Sequence, residues 1–292
     1  MRAGTAATAR VGWIGAGKMG APMVRNLLAQ GTAVAVTDVS AAAVAALVAA
    51  GATAAPCPAD HAASDIVFSM LPDDDALLGV ALGQGPDPGL DTVLRAGAIL
   101  VEMSTVSPSA SARVAQALEG TGISYLRAPV SGSTALAEKA ALTILGSGPE
   151  AAWQTALPYL SMLSNRRIHL GPGDEARYMK LVVNTLIGAT SAVLAEALTL
   201  GAAGGLTREA MMDVILESAA ASPLLRYKRE AVVAGDYAPA FTVDQMIKDF
   251  SLLSDAARAR RVPLFVNGLI LDLYRAAANS GLSEADFFAL VK

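Results

Sequence analysis

The chain has 292 residues, 53% hydrophobic and 16% charged, which is ample apolar material for a large core and too little charge for a disordered chain. Its 22 Lys and Arg against 26 Asp and Glu give a net charge of −4, so no basic field exists to hold a phosphate backbone and nucleic acid is not an expected partner. A single cysteine, Cys57, forms no internal disulfide, and with two histidines it falls short of a zinc-ligand set, so no metal is expected.

A membrane-spanning helix needs about 20 mostly apolar residues. The stretch 39–59 is broken by Gly51, Pro56 and Pro58, and the stretch 181–195 carries Asn184, so no membrane span is expected. Residues 1–10 lack the apolar centre of a signal peptide and read as a short disordered lead-in, which makes a cytoplasmic location the expectation.

At about 100–200 residues per domain, the length predicts two domains. In the first half short apolar runs at 10–14, 33–37, 66–70, 99–102, 124–126 and 142–145 alternate with helical patterns at 20–30, 41–50, 74–82, 109–119 and 150–163. That alternation predicts parallel βαβ units in a doubly wound, Rossmann-type α/β sheet. Gly31, Gly51 and Gly120 stand where three of those helices should stop. After Gly171-Pro172-Gly173 the strand-like runs cease, predicting an N-terminal nucleotide-binding domain over 1–170 and an all-α domain over 171–292, entered by a long interdomain helix.

The run 10–14 leads into Gly15-Ala16-Gly17-Lys18-Met19-Gly20 and then a helix, which is G-x-G-x-x-G in its strand–turn–helix setting. The first glycine allows the tight turn, the second lets backbone approach a pyrophosphate, and the third lets helix pack on strand. A surface turn is the plain alternative; the context favours a dinucleotide. Asp38 ends the second predicted strand, where a carboxylate accepts from a ribose 2′-OH and repels a 2′-phosphate, and Val39 and Ser40 supply no arginine; this favours NAD over NADP.

At 100° per residue from Lys180, the helix places Asn184 at about 40°, Ser191 at about 20° and Gly188 at about 80°, one polar or small face on an otherwise apolar cylinder expected to be buried nearly all round. Lys180 either snorkels to water or is a desolvated amine with a lowered pKa, able to exchange a proton with a hydroxyl or carbonyl. The residues alone leave both open. His61 and His169 read as ordinary, the former as a surface residue, and Asp73-Asp74-Asp75 as a helix-capping run rather than a metal site.

Four segments in order, GWIGAGKMGAPM (12–23), APVSGSTALAEKAAL (128–142), GPGDEARYMKLVVN (171–184) and KDFSLLSD (248–255), together with Met70-Leu71-Pro72 and Ser104-Thr105, resemble the β-hydroxyacid dehydrogenase superfamily, which includes the 3-hydroxyisobutyrate dehydrogenases. The resemblance implies an oxidoreductase that moves a hydride between a small β-hydroxy acid and a nicotinamide cofactor. It implies that Lys180 is the catalytic lysine and that Asn184 helps hold the substrate. Ser131, Gly132 and Ser133 then bind its carboxylate, Met70, Leu71, Pro72, Ser104 and Thr105 contact the cofactor, and Lys248 and Asp255 reach the cofactor and substrate. It also implies a homodimer or homotetramer. Where the family's loop usually reads Asp-Ala-Pro-Val-Ser-Gly-Gly, this chain has Arg127 for the acid and Ser133 for the second glycine, which puts the standard substrate in doubt. An NADPH-dependent aldehyde, semialdehyde or imine reductase is the rival enzyme. A scaffold that only binds is the rival outside catalysis, and the retained Lys180 and Asn184 argue against it.

Overall fold

The structure is a computed structural model that describes residues 9–85 and 87–292, so most of the expected lead-in lies outside the described residues. It forms two compact units, Met1–Lys180 and Leu181–Lys292, which divide inside a helix.

In the first unit the chain runs β1 (Val11–Ile14), α1 (Gly20–Ala29), β2 (Val34–Thr37), α2 (Ala41–Ala49), β3 (Thr53–Ala54), β4 (Ile66–Ser69), α3 (Asp74–Leu82), α4 (Leu90–Val93), β5 (Ile99–Glu102), α5 (Pro108–Leu118) and β6 (Ser124–Arg127). A second group follows: β7 (Val130–Ser131), α6 (Thr134–Glu138), β8 (Leu142–Gly146), α7 (Glu150–Ser161) and β9 (Ser164–His169). The first six strands form one parallel sheet in the order β3-β2-β1-β4-β5-β6, and β7-β8-β9 form a smaller one. Buried Val, Ile, Leu and Phe make the central strands readable as near-continuous apolar runs, as sheets covered on both faces require. The β9 strand, Ser-Asn-Arg-Arg-Ile-His, is not among the predicted strands: among the described residues it pairs only with β8, and it is largely exposed, without the apolar alternation that marks a half-buried strand.

The predicted helix stops hold, with Gly31, Gly51 and Gly120 all at positive φ. Trp13 and Phe68, neighbours across β1 and β4, stack with ring centroids 5.5 Å apart in the core, and full burial of each such ring stabilises the unit by about 2–3 kcal/mol. His61 is not on the surface. It is fully buried beneath β1, because Gly12 has no side chain to occupy that space: a Cβ there would lie 2.4 Å from its Nδ1.

The long helix α8 (Glu175–Ala203) leads into α9 (Arg208–Glu217), α10 (Pro223–Ala234), α11 (Val243–Ala259) and α12 (Phe265–Ala277), so the second unit is helical as predicted. Its core gathers Leu194, Leu198, Met212, Val232, Met246, Phe250, Tyr274 and Phe288. Gly188 lets Phe250 approach the helix backbone, since a Cβ there would stand 2.3 Å from the ring. Lys228 is buried but paired with Asp286 at 2.7 Å. Among the described residues α8 is the one helix whose length and composition could cross a membrane.

The expectation that α8 is buried nearly all round is corrected. Val182, Leu186, Val193 and Leu200 are exposed, and at 100° per residue they form one stripe at about 200–240° from Lys180. Apolar composition alone does not distinguish a core-facing side from an apolar surface.

Candidate active site

In the parallel sheet every strand presents its C-terminal end at the same edge, and the strand order reverses between β1 and β4. Open α/β sheets bind ligands at such a switch point. The segments singled out from the sequence follow these ends: Gly15–Gly20 after β1, Asp38 after β2, Met70-Leu71-Pro72 after β4, Ser104-Thr105 after β5 and Ser131-Gly132-Ser133 after β6.

The turn after β1 needs its glycines. Gly15 has φ +97°, and a Cβ on it would sit 2.2 Å from the Met70 carbonyl oxygen; a Cβ on Gly20 would sit 1.9 Å from the Gly15 oxygen. The buried Trp13 indole holds the turn by donating to that same Gly15 oxygen at 2.8 Å. A Cβ on Gly17, by contrast, would meet nothing within 4 Å. The α1 N-terminus behind the turn carries no side-chain cap and no acidic residue in its first turn, so its own helix supplies no acid to compete with an anion for its positive end. These features fit a pyrophosphate. Ala16 is buried, whereas Gly17 and Lys18 are exposed and Met19 half-buried.

Asp38 does not cap α2; Ser40 does, accepting from the Ala43 N–H. One Asp38 oxygen accepts from Ala16 N–H at 2.6 Å and the other from Ser40 N–H at 2.7 Å, which fixes the carboxylate beside the glycine turn. Val39, beside it, is fully exposed. The next two segments are tied together: Leu71 N–H donates to the Ser104 hydroxyl at 2.7 Å, and Ser104 N–H to the Glu102 carboxylate at 2.7 Å. Glu102 also pairs with Arg177, and both are buried. Burial pushes the Arg177 guanidinium down to about 9, against the pull of the Asp74 charge, and it remains cationic at neutral pH.

Ser131 lies in β7, paired with Thr143 of β8. Gly132 has φ +141°, and a Cβ on it would come within 2.8 Å of Leu142, so only glycine fits there. Ser133 occupies the N-cap of α6 without using its side chain, and its shielded Oγ has no hydrogen-bond partner among the described residues.

Lys180 is half-buried on α8, and Asn184, one turn on, is buried. The Asn184 amide donates through Nδ2 to Asp249 Oδ2 on α11, while Lys248 Nζ stands 3.6 Å from Asp249 Oδ1. A carboxylate only accepts, so it fixes the orientation of the amide, with Nδ2 towards Asp249 and Oδ1 turned the other way. Asp249 escaped the sequence reading, although it adjoins Lys248 in the segment quoted above. Asp255 stands apart: it is exposed and pairs with Arg258 one turn on, at 3.2 Å.

Residues 10–171 match the family described as the NAD binding domain of 6-phosphogluconate dehydrogenase. Residues 175–292 match the NAD-binding domain of NADP-dependent 3-hydroxyisobutyrate dehydrogenase. The chain belongs to the β-hydroxyacid dehydrogenase superfamily. Like other members of the superfamily it is an NAD(P)-dependent oxidoreductase acting on CH–OH groups. It is 37% identical to the 2-(hydroxymethyl)glutarate dehydrogenase of Eubacterium barkeri over 97% of this chain and 94% of that one. It is 33% identical to the NAD-dependent L-serine dehydrogenase of Pseudomonas aeruginosa, over 97% of each. Among solved structures, the 3-hydroxyisobutyrate dehydrogenase of Salmonella typhimurium superposes with a TM-score of 0.84 at 28% identity, covering 97% of this chain and 99% of that one.

Proposed function

We propose that this dehydrogenase oxidises a small β-hydroxy acid with NAD, using Lys180 as the general base. The observation that carries the reading is the pairing on α8 of a half-buried lysine with a buried asparagine one turn on, whose amide is oriented by Asp249. Such a pair can take the proton of a hydroxyl and hold its oxygen.

When bound, the nicotinamide supplies a two-electron hydride acceptor. Gly15, Ala16, Gly17, Lys18, Met19 and Gly20 hold the pyrophosphate, and Asp38 holds the adenosine ribose. Met70, Leu71, Pro72, Ser104 and Thr105 line the cofactor, with Lys248 as a further contact. Ser131, Gly132 and Ser133 take the substrate carboxylate on a hydroxyl and on backbone N–H groups. The neutral amine of Lys180 accepts the hydroxyl proton as the C–H bond gives up its hydride; in reverse the ammonium donates that proton to the carbonyl oxygen. Asn184 holds the reacting oxygen in place. Acid–base help of this kind contributes about 10²–10⁴-fold, and positioning supplies much of the rest.

Two details refine the reading. Asp38, with Val39 rather than a cation beside it, favours NAD over NADP. The uncommitted Ser133 hydroxyl suits a substrate with a polar group beyond the carboxylate. The exposed apolar stripe of α8 is proposed as a face covered in a homodimer or homotetramer.

The test is a panel of 3-hydroxyisobutyrate, L-serine, 3-hydroxypropionate, tartronate and 4-hydroxybutyrate, each with NAD and with NADP, run beside Lys180→Ala. The expected outcome is NAD-linked turnover of at least one β-hydroxy acid, lowered at least 10²-fold by Lys180→Ala. Turnover that survives the substitution removes Lys180 from the mechanism.

A further inference from the structure

We propose that Arg177 is a positioning residue: its ion pair with Glu102, crossed by a second pair between Arg127 and Asp174, fixes the roll of α8 on the strand ends and so sets the direction in which Lys180 presents its amine. The inference rests on the reading of Lys180 above.

Glu102 and Arg127 are register partners at the C-terminal ends of β5 and β6. Asp174 and Arg177 stand at the start of α8, the first just ahead of it. The acid on the sheet pairs with the base on the helix, Glu102 with Arg177, and the base on the sheet with the acid of the helix start, Arg127 Nε with Asp174 Oδ1 at 2.8 Å. Ser111 on α5 joins the two pairs, its Oγ donating to Asp174 at 3.0 Å and accepting from Arg127 Nε at 3.3 Å and Arg177 Nε at 3.4 Å. Arg177 also donates through Nη1 to the Ser104 carbonyl at 2.7 Å, and Glu102 accepts Ser104 N–H. One buried pair thus grips both sides of Ser104, the residue whose hydroxyl holds Leu71, and the helix that carries Lys180. Arg127, the residue at which this chain departs from the usual acid, supplies the second pair; an acid there would face Asp174 with like charge.

The geometry converts this grip into an effect on the amine. Three residues separate Arg177 from Lys180, which puts them about 60° apart around the axis and about 4.5 Å apart along it. Asn184, at i+7 from Arg177, falls on the same face. A side chain reaches about 5–6 Å from the axis, so a roll of about 20° moves its tip by roughly 2 Å. Displacements near 1 Å can cost about 10²-fold in rate. A single tether would leave the helix free to pivot; pairs at 174 and 177 oppose that.

The test is Glu102→Gln with Arg177→Met, which removes both charges and strands neither. The double variant is expected to keep its far-UV circular dichroism. Amide hydrogen exchange should rise together over residues 103–107 and 174–180, and kcat should fall about 10–100-fold with KM within threefold. A folded double variant with wild-type exchange in both segments and kcat within twofold overturns the proposal. Should it not fold, Arg177→Lys, which keeps the charge but not the fork, carries the same readouts and the same refuting result. Exchange is read on the protein without substrate, so a wild type lacking Lys180-dependent turnover defeats the functional reading while the latch is still decided.

Discussion

The buried His61 makes the first unit acid-labile in a way that can be worked out from its partners. Thr37 Oγ1 spends its one proton on the Ala55 carbonyl at 2.6 Å, so at the 2.8 Å contact with His61 it must accept, which places the ring proton on Nε2. Nδ1 then carries the lone pair, faces Gly12, and has no hydrogen-bond partner among the described residues. Adding a second proton there puts a charge in a dry site, and burial pushes the pKa down to about 4 against a weak opposing pull from Asp60. An unfolded chain binds that proton near pH 6.5. The folded pKa is depressed, so the stabilisation is complete above about pH 6.5 and is lost as pH falls from 6.5 towards 4. The full difference is about 3 kcal/mol, of which about 2 kcal/mol is gone by pH 5. Both tryptophans, Trp13 and Trp153, lie in the first unit, so their fluorescence in urea reports that unit. His61→Gln keeps a donor for Thr37 but cannot ionise. Between pH 7.5 and 5.0 the wild type should lose about 2 kcal/mol more than His61→Gln. Equal losses in the two proteins would refute both the tautomer and the burial argument.

Two further outcomes follow from the site. Asp249→Asn removes the acceptor-only partner of Asn184 and allows its amide to turn over; kcat/KM should fall about 10–100-fold in steady-state kinetics, as expected for a charge-assisted hydrogen bond worth about 1.5–3 kcal/mol. Asp38→Asn with Val39→Arg keeps an acceptor for Ala16 N–H, removes the repulsion of a 2′-phosphate and adds a cation; the NADP-to-NAD ratio of kcat/KM should rise at least tenfold, and an unchanged ratio would remove Asp38 from cofactor choice.

The βαβ half of the fold was legible because its buried strands and intervening helices differ in period, and because glycines mark the helix ends. What failed to read has a physical pattern. Burial of His61 depends on the missing side chain of Gly12, far away in sequence, and no local periodicity carries that information. The β9 strand is held by hydrogen bonds to one neighbour rather than by a buried face. The apolar run of α8 hid two different surfaces, one packed in the second unit's core and one exposed. The candidate site was legible as a set of motifs, with Lys180 and Asn184 placed one turn apart by helix arithmetic. Asp249 was not, since an acid beside a lysine on an amphipathic helix ordinarily faces water.

Acid side chains recur behind the groups assigned to chemistry. Asp38 receives Ala16 N–H of the glycine turn, Glu102 receives Ser104 N–H and Arg177, and Asp249 receives the Asn184 amide. An ionised carboxylate has no donor, so whatever faces it must present N–H or O–H. For an asparagine amide that settles which end points away, and for a backbone turn it excludes the flipped peptide. A neutral amide of the same shape would bind either orientation with little change in packing. Replacing Asp38 or Asp249 by its amide should therefore disturb kinetic constants more than melting temperature, because what the charge supplies at these two positions is direction, whereas at Glu102 it also neutralises the buried Arg177.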